Sequence, residues 1–174
     1  MSFFAIRMLE NKITYLSLGS NIGNRYEYLK SALSLIRENI SNSIKISSIY
    51  QTPAWGFESE DFYNICIEII SNDTPIALLN KLKQIEIEVG RTEKSIEGYS
   101  ARVIDIDIIT YGNLIYKAKD LTIPHPRLHE RLFVLIPLKE IAPNLIIPNL
   151  EQSVNSLLEI CNDKSVIKKV DLKF

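Results

Sequence analysis

A capped helix followed by an alternating strand can be recognised in residues 74–111, TPIALLNKLKQIEIEVGRTEKSIEGYSARVIDIDIITY. Thr74 and Pro75 suit the N-cap and first turn of a helix, and Gly90 suits the residue that follows its last turn. After a polar segment, residues 104–111 are predicted to form a strand. One face of the helix carries apolar residues at helical spacing, namely Leu78, Leu82, Ile85 and Val89.

A strand, a turn and a helix are predicted upstream of this unit. Residues 13–17 are apolar and β-prone, and Gly19 and Gly23 indicate that the strand then ends in a tight turn. Asn24, followed three residues later by a glutamate, has the form of a capping box, so a helix over about 25–39 follows. Its apolar face consists of Leu29, Leu33, Ile36 and Ile40.

The order of the predicted elements indicates the fold class. Isoleucine-rich segments at 44–51 and 62–71 add two strands between the helices, which makes the order β-α-β-β-α-β. This is the ferredoxin-like α+β pattern, an antiparallel sheet with helices packed on one face. A proline-rich C-terminal extension follows from Asp120, with a helix near 154–160 and an edge strand near 166–172.

Composition limits the classes of function. The chain has 174 residues, 46% hydrophobic and 24% charged, which indicates one domain over 13–174 after a leader of no assigned function at 1–12. A net charge of −1 argues against a nucleic-acid partner. Without a long apolar run or a secretory signal pattern, we expect no membrane partner and a cytoplasmic location. The chain is also expected to be a monomer. Cys66 and Cys161 are expected to be buried and inert.

Two aspartates on one strand face are the first candidate for chemistry. Side chains alternate along a strand, so Asp105 and Asp107 share one face while the isoleucines between and beside them point to the other. Like charges this close repel each other unless a cation lies between them, and carboxylate oxygens suit Mg²⁺. The same pattern also occurs on ordinary solvent-facing strands, so the interpretation needs support from neighbouring residues.

Arginines near the aspartates support a polyphosphate ligand. Arg91 and Arg102 enclose a glycine-containing segment that leads into the aspartates, and guanidinium groups suit phosphate oxygens. Gly19 and Gly23 do not have P-loop spacing, and no GxGxxG motif occurs. P-loop kinases and Rossmann dehydrogenases are therefore excluded.

A histidine between two prolines is a further candidate to donate a hydrogen bond to phosphate. His125 is followed four residues later by His129, with Arg127 and Arg131 alongside. A zinc site is disfavoured because these surroundings are cationic and no third soft ligand is near. His125 is better interpreted as a donor to phosphate, and His129 as a surface residue.

In order along the chain, these residues resemble the 6-hydroxymethyl-7,8-dihydropterin pyrophosphokinase family from Tyr15 to about Pro148. Each motif is weak alone, but the ordered set is specific. The motifs are Gly19-Ser20-Asn21, Tyr50-Gln51-Thr52-Pro53, Phe62-Tyr63-Asn64, Glu86 with Gly90-Arg91, Arg102 with Asp105-Ile106-Asp107, Pro124-His125-Pro126-Arg127 through Arg131, Phe133, and Ile141-Ala142-Pro143.

The resemblance implies that pyrophosphate passes from ATP to the hydroxymethyl oxygen of the dihydropterin, with release of AMP. Asp105 and Asp107 would hold two Mg²⁺ ions, Arg91 and Arg102 would contact the triphosphate, and the pterin would stack between two phenylalanines. The implied nucleotide contacts are Glu86, Ile108, Thr122, His125 and Arg131. The implied pterin contacts are Thr52, Pro53, Trp55, Phe62, Asn64 and Phe133.

The family's mobile loops would map to residues 19–24, 51–61 and 91–102. The last of these departs from the family pattern at Gly98, Tyr99 and Ser100. From the residues alone, a non-catalytic ferredoxin-like module, either a small-molecule regulatory domain or an RNA binder, remains the alternative. The isoleucine-rich strands lack the exposed aromatic residues and basic face that RNA binding requires.

Overall fold

The computed structural model describes residues 11–54, 59–91 and 102–174. Its helices are α1 (Arg25–Asn39), α2 (Pro75–Val89), α3 (Leu132–Ile141) and α4 (Val154–Ile160), with a 3₁₀ turn at Leu128–Glu130. Its strands are β1 (Lys12–Ser20), β2 (Ile44–Ile46), β3 (Tyr50–Thr52), β4 (Phe62–Ser71), β5 (Asp105–Tyr111), β6 (Tyr116–Lys117), β7 (Thr122–Ile123), β8 (Ile146–Ile147), β9 (Gln152–Ser153) and β10 (Lys168–Lys169).

The main sheet has the order β10-β3-β4-β1-β5, with β2 also paired to β4. Its strand pairs are antiparallel. β1 therefore lies between β4 and β5. The C-terminal end of β1 and the N-terminal ends of β4 and β5 lie side by side at one end of the sheet. The predicted ferredoxin-like α+β class is confirmed.

Local signals set the boundaries of both long helices as predicted. The side chain of Asn24 accepts a hydrogen bond from the Glu27 amide at the start of α1. Thr74 accepts one from the Ala77 amide at the start of α2. Gly90 follows α2 with φ +121°, a conformation that other residues rarely adopt.

The main core lies between the sheet and the helices α1 and α2. Ile106 and Ile108 of β5 point into it, as the alternation predicts, together with Leu16 and Leu18 of β1. Both leucines are fully buried. Burying a side chain of this size contributes about 1.5–3 kcal/mol, so this face anchors the sheet and leaves the other face free to carry polar groups.

A second apolar cluster covers part of the opposite sheet face, which corrects the prediction that helices pack on one face only. Tyr15, Cys66 and Ile109 meet α3 and α4 there. The sequence does not predict α3, because residues 132–138 are all nonpolar and include Pro137. It packs on β4, and the carbonyl of its last residue, Ile141, accepts a hydrogen bond from Lys45 of β2.

Three smaller predictions are also corrected. The expected strand at 44–51 is divided into β2 and β3, because the Ser47 hydroxyl accepts the Cys66 amide and disturbs the regular pairing. The C-terminal edge strand is only β10, paired to β3. Cys161 is partly exposed rather than buried, whereas Cys66 is buried.

Among the residues that the structure describes, no helix combines the length and the apolar character needed to cross a bilayer.

Candidate active site

One row of paired residues crosses β4, β1 and β5 near the end of the sheet where β4 and β5 begin. In the register of the pairs, Asn64 of β4 lies opposite Gly19 of β1, and Gly19 lies opposite Asp105 of β5. Strands are spaced by about 4.8 Å, so Asn64 and Asp105 are roughly 10 Å apart. Asp107 lies in the neighbouring row, opposite Ser17. The row thus sets an amide beside an acidic cluster on the same face.

Gly19 forms the floor between these two groups. A Cβ atom at this position would lie 2.6 Å from Asn64 Oδ1 and 3.5 Å from Phe62 Cδ1. The expectation that Gly19 ends the strand is therefore wrong, since β1 continues to Ser20 and the glycine admits a close approach inside the strand. A glycine within a β-prone run is the signal from which this role could have been inferred.

The acidic side of the row is a chain of alternating charges. Glu86 of α2 uses Oε1 to accept the Ile106 amide at 2.7 Å, and its Oε2 lies 2.6 Å from Arg91 Nη1. The same Nη1 is 3.0 Å from Asp105 Oδ1, and Arg102 Nη1 is 2.8 Å from that oxygen. The pair of arginines predicted to contact phosphate therefore converges on one aspartate.

Crowded carboxyl groups have raised pKa values here. Burial raises the pKa of Glu86 to about 7, the charge of Asp105 adds to the shift, and Arg91 opposes it. Burial also raises the pKa of Asp107, and the negative charge of Asp105 raises it further. Burial is thus the main reason why Glu86 and Asp107 are harder to ionise here than in water.

This donor set fits a magnesium ion. Asp105 and Asp107 supply hard carboxylate oxygens, and their repulsion would be relieved by a divalent cation. Within the described ranges, no three histidine, cysteine or acidic side chains group around a common metal position. That is compatible with Mg²⁺, which uses one or two carboxylates and completes its shell with water and substrate phosphate.

The raised pKa of Asp107 predicts a gain in stability for Asp107→Asn without divalent metal. The folded state keeps the proton at a pH where the unfolded chain has lost it, so Asp107 destabilises the fold as the pH rises above its ordinary pKa of about 4. At pH 8 with a chelator we expect the Tm of the variant to be a few degrees higher than that of the parent. For a chain of this length, each kcal/mol of added stability raises the Tm by about 2–4 °C.

Thermal melts from pH 4 to pH 8 check this expectation. The gain should vanish near pH 4, where the aspartate is protonated in both states. Asp171→Asn, a change at an exposed position in the C-terminal segment, is the matched control, and its Tm should equal that of the parent at both pH 4 and pH 8. A variant that is less stable than the parent at pH 8 would contradict the prediction.

His125 borders the acidic cluster as a neutral donor. Its amide donates to Ile109 O at 2.9 Å, which ties the residue to β5. Burial and the charge of Arg131 lower the pKa of the imidazole to about 4. Its Nδ1 accepts the Arg127 amide at 3.2 Å, so Nε2 carries the proton. The His129 side chain is 40% exposed and lies beside Glu130, as expected for a surface residue.

Arg131 precedes α3 and is only 7% exposed. Its guanidinium lies 5.4 Å from the centre of the Phe133 ring, within the range of a cation–π contact. Its positive charge also acts on Asp107. Arg131 therefore lies between the acidic cluster and the aromatic residue at the start of α3.

The other side of the row carries residues predicted to contact a pterin. Asn64 Nδ2 donates to Thr52 Oγ1 at 2.8 Å, and both side chains are buried. Phe62 begins β4, while Phe133 is in the first turn of α3, which packs on β4. Pro53 is exposed after β3.

The remaining predicted residues have different outcomes. The Ile108 side chain is in the main core, on the face opposite the aspartates, so only its backbone could contact a nucleoside. Thr122 is on β7, which lies against β5. Trp55 and the departures at residues 98–100 are outside the described residues.

Comparison with known proteins now adds to this geometry. Residues 15–143 match the family model described as 7,8-dihydro-6-hydroxymethylpterin-pyrophosphokinase (HPPK). The chain belongs to the HPPK family. The match covers more than half of the chain and includes both aspartates, both arginines and the Phe62 and Phe133 positions.

Curated HPPK relatives cover most of the chain. A 2-amino-4-hydroxy-6-hydroxymethyldihydropteridine pyrophosphokinase of Bacillus subtilis is 42% identical over 133 residues, spanning 75% of this chain and 78% of that protein. The Aquifex aeolicus protein of the same name is 42% identical over 135 residues, or 77% of this chain and 82% of its own. These relatives favour an enzyme and give no support to the regulatory module.

Longer HPPK proteins match only in part. The chain spans 22% of the folic acid synthesis protein FOL1 of Dictyostelium discoideum, at 39% identity over 147 residues. A crystal structure of Plasmodium falciparum HPPK-DHPS matches with a TM-score of 0.68 and 18% identity, over 86% of this chain and 41% of that chain. At this identity the structural match supports the fold.

Proposed function

We propose that this chain transfers pyrophosphate from ATP to the hydroxymethyl group of 6-hydroxymethyl-7,8-dihydropterin in folate biosynthesis. The observation that carries the proposal is the row Asn64–Gly19–Asp105, which sets a hydrogen-bonding pocket beside a charged cluster suited to a polyphosphate. The hydroxymethyl oxygen forms a bond to the β-phosphorus. The bond from that phosphorus to the oxygen shared with the α-phosphorus breaks, AMP leaves, and the hydroxyl proton passes to solvent.

Asp105 and Asp107 are the proposed ligands of two Mg²⁺ ions. When bound, Mg²⁺ neutralises phosphate charge and lowers the pKa of a coordinated hydroxyl group. The two carboxylates would hold the metal at the end of the sheet next to Gly19, where it would supply positive charge for the nucleotide phosphates. Glu86 supports them from behind, because its hydrogen bond to the Ile106 amide holds the backbone between the aspartates.

Arg91, Arg102, Arg131 and His125 are the proposed phosphate contacts. In the structure, Arg91 and Arg102 share Asp105 Oδ1. Phosphate oxygens offer the same geometry to a guanidinium fork as a carboxylate does, so the arginines can turn to the nucleotide without travelling far. His125 would donate from Nε2 while staying neutral, since its pKa is lowered to about 4.

The proposed pterin pocket is formed by Thr52, Asn64, Phe62 and Phe133. The bond from Asn64 to Thr52 fixes the orientation of the amide, which leaves Oδ1 over Gly19 to accept from the N–H groups of the pterin. The two phenylalanines begin β4 and α3 and supply the faces of a stack. Pro53 and Trp55 complete the pterin contacts that the sequence implies.

Phe133→Ala should weaken pterin binding much more than ATP binding. Loss of a stacking ring costs about 0.5–1.5 kcal/mol beyond the lost buried area, and only the ligand that it covers is affected. Calorimetric titration of each ligand measures the two affinities. Phe174→Ala is the matched control, because this ring stacks on Tyr26 at 5.4 Å and lies outside the proposed site. Equal losses for both ligands would contradict the stack.

Product analysis tests the reaction itself. The protein is incubated with ATP, Mg²⁺ and the hydroxymethyl dihydropterin, and the nucleotide product is separated. AMP together with a pterin diphosphate is expected, since the attack falls on the β-phosphorus. ADP would indicate transfer of a single phosphoryl group, and no turnover would favour a binding module.

The monomeric state, the cytoplasmic location and the single domain over 13–174 stay predictions. The Plasmodium falciparum match is an HPPK-DHPS chain of more than twice the matched length. Size-exclusion chromatography with light scattering would measure the oligomeric state of this chain directly.

A further inference from the structure

Asn21 holds the backbone of Arg102. It is the first residue after β1 and is 1% exposed. Its backbone N–H donates to Arg102 O at 3.1 Å, and its side-chain Oδ1 accepts from Arg102 N at 2.6 Å. Both backbone groups of the arginine that contacts Asp105 are therefore bonded to one asparagine.

The other end of the same side chain reaches the segment that leads into β4. Asn21 Nδ2 donates to Ser59 Oγ at 2.9 Å and to Glu60 O at 3.2 Å. Two residues beyond Glu60, the strand begins at Phe62 and continues to Asn64. Asn21 thus touches the nucleotide half and the pterin half of the proposed site at the same time.

Further contacts fix the position of the segment around Ser59 and Glu60 to which the Asn21 side chain is bonded. Asp61 Oδ2 accepts from Gln51 Nε2 at 2.7 Å, and the Asp61 carbonyl accepts from Arg25 Nη1. Arg25 also lies 4.0 Å from the centre of the Tyr63 ring. The segment that Asn21 bonds is therefore held on the sheet.

We infer that Asn21 is a positioning residue that sets Arg102 relative to the pterin half of the site, so that the transferring phosphorus and the pterin hydroxyl are aligned. The inference rests on the proposed function. An asparagine side chain offers one acceptor and two N–H donors, and all three are used here. An aspartate keeps the size and the acceptor but loses both donors.

The alignment of reacting groups explains why this link matters to rate. A displacement of about 1 Å in a residue that positions the reaction can lower turnover on the order of 10²-fold. Arg102 still contacts Asp105 without Asn21, and Arg91 contacts the same carboxylate. ATP binding should therefore survive while the chemical step suffers.

Asn21→Asp tests the inference in steady-state assays of AMP formation. We expect kcat to fall roughly 10–100-fold, with the KM for ATP changed less than about threefold. Asn39→Asp is the matched control, because Asn39 also donates from Nδ2 to a carbonyl, that of Leu35 at 2.9 Å, but on the exposed side of α1. Its kinetics should equal those of the parent.

A double-mutant cycle with Ser59→Ala separates positioning from general destabilisation. Ser59 is exposed, and its substitution removes one hydrogen-bond acceptor of Asn21. The single variant Ser59→Ala should therefore have a kcat about threefold or more below that of the parent. Added to Asn21→Asp, it should cause no further loss, because the bond is already gone. Independent, multiplying losses would overturn the inference, as would an unchanged kcat in Asn21→Asp.

Thermal melts accompany each assay. If Asn21→Asp does not fold, Ser59→Ala decides alone, and an unchanged kcat in that variant overturns the inference. Failure of the proposed function would be seen differently, as an absence of AMP formation by the parent protein.

Discussion

Alanine in place of Asp105 or Asp107 is expected to lower the rate of AMP formation by roughly 10³-fold or more while the protein stays folded. Each substitution removes a proposed magnesium ligand, and with it the stabilisation of charge in the transition state. Both side chains are partly exposed on the face opposite the main core, so no core cavity opens. Loss of the Asp107 charge relieves repulsion from Asp105.

Three measurements accompany this prediction. Turnover is measured at saturating ATP and pterin, magnesium affinity by titration, and folding by thermal melts. Asp171→Ala, an aspartate-to-alanine change in the exposed C-terminal segment, is the matched control and should retain full activity. Near-normal turnover in both site variants would contradict the assignment of Asp105 and Asp107 as magnesium ligands.

Arg102→Ala is expected to lower kcat by about 10²–10³-fold with little change in ATP affinity. An arginine that meets the transferring phosphoryl group is worth at least this much in related phosphoryl-transfer reactions. In the structure Arg102 contacts Asp105 Oδ1 at 2.8 Å, and Arg91 contacts the same oxygen at 3.0 Å. Arg91 therefore keeps the ground-state charge balanced when Arg102 is removed.

Single-turnover kinetics at saturating ATP distinguish this role from a purely structural one. If Arg102 only pairs with Asp105, its removal costs about 1 kcal/mol or less of stability and leaves the chemical step unchanged. Arg102→Lys retains the charge and loses the planar fork, so a rate between those of the parent and the alanine variant supports phosphate contact. An unchanged chemical step in Arg102→Ala would leave only the ion pair.

Helix and strand signals close in the chain predicted most of the fold. Asn24, Thr74 and Gly90 cap their helices as expected, and Ile106 and Ile108 of β5 face the main core. These features depend on residues within one or two turns of each other, so a linear sequence contains them. The same holds for the shared face of Asp105 and Asp107, which follows from the two-residue repeat of a strand.

Contacts between distant segments required the tertiary structure. Gly19 was predicted to end a strand, yet the register of β4, β1 and β5 makes it the floor of the proposed site. The helix α3 carries Phe133 and covers part of the second sheet face, although the unbroken nonpolar run 132–138, which includes Pro137, shows no helical period.

The amino-acid sequence by itself determined the order of the elements, their caps and the residue types at the site, because each depends on local spacing. Tertiary structure alone decided that Asn21 bonds both Arg102 and the segment at Ser59, and that two arginines meet on Asp105. Asn21 is separated from Arg102 by 81 positions. Such a bond depends on strand register and on the packing of the whole sheet, which no local pattern encodes.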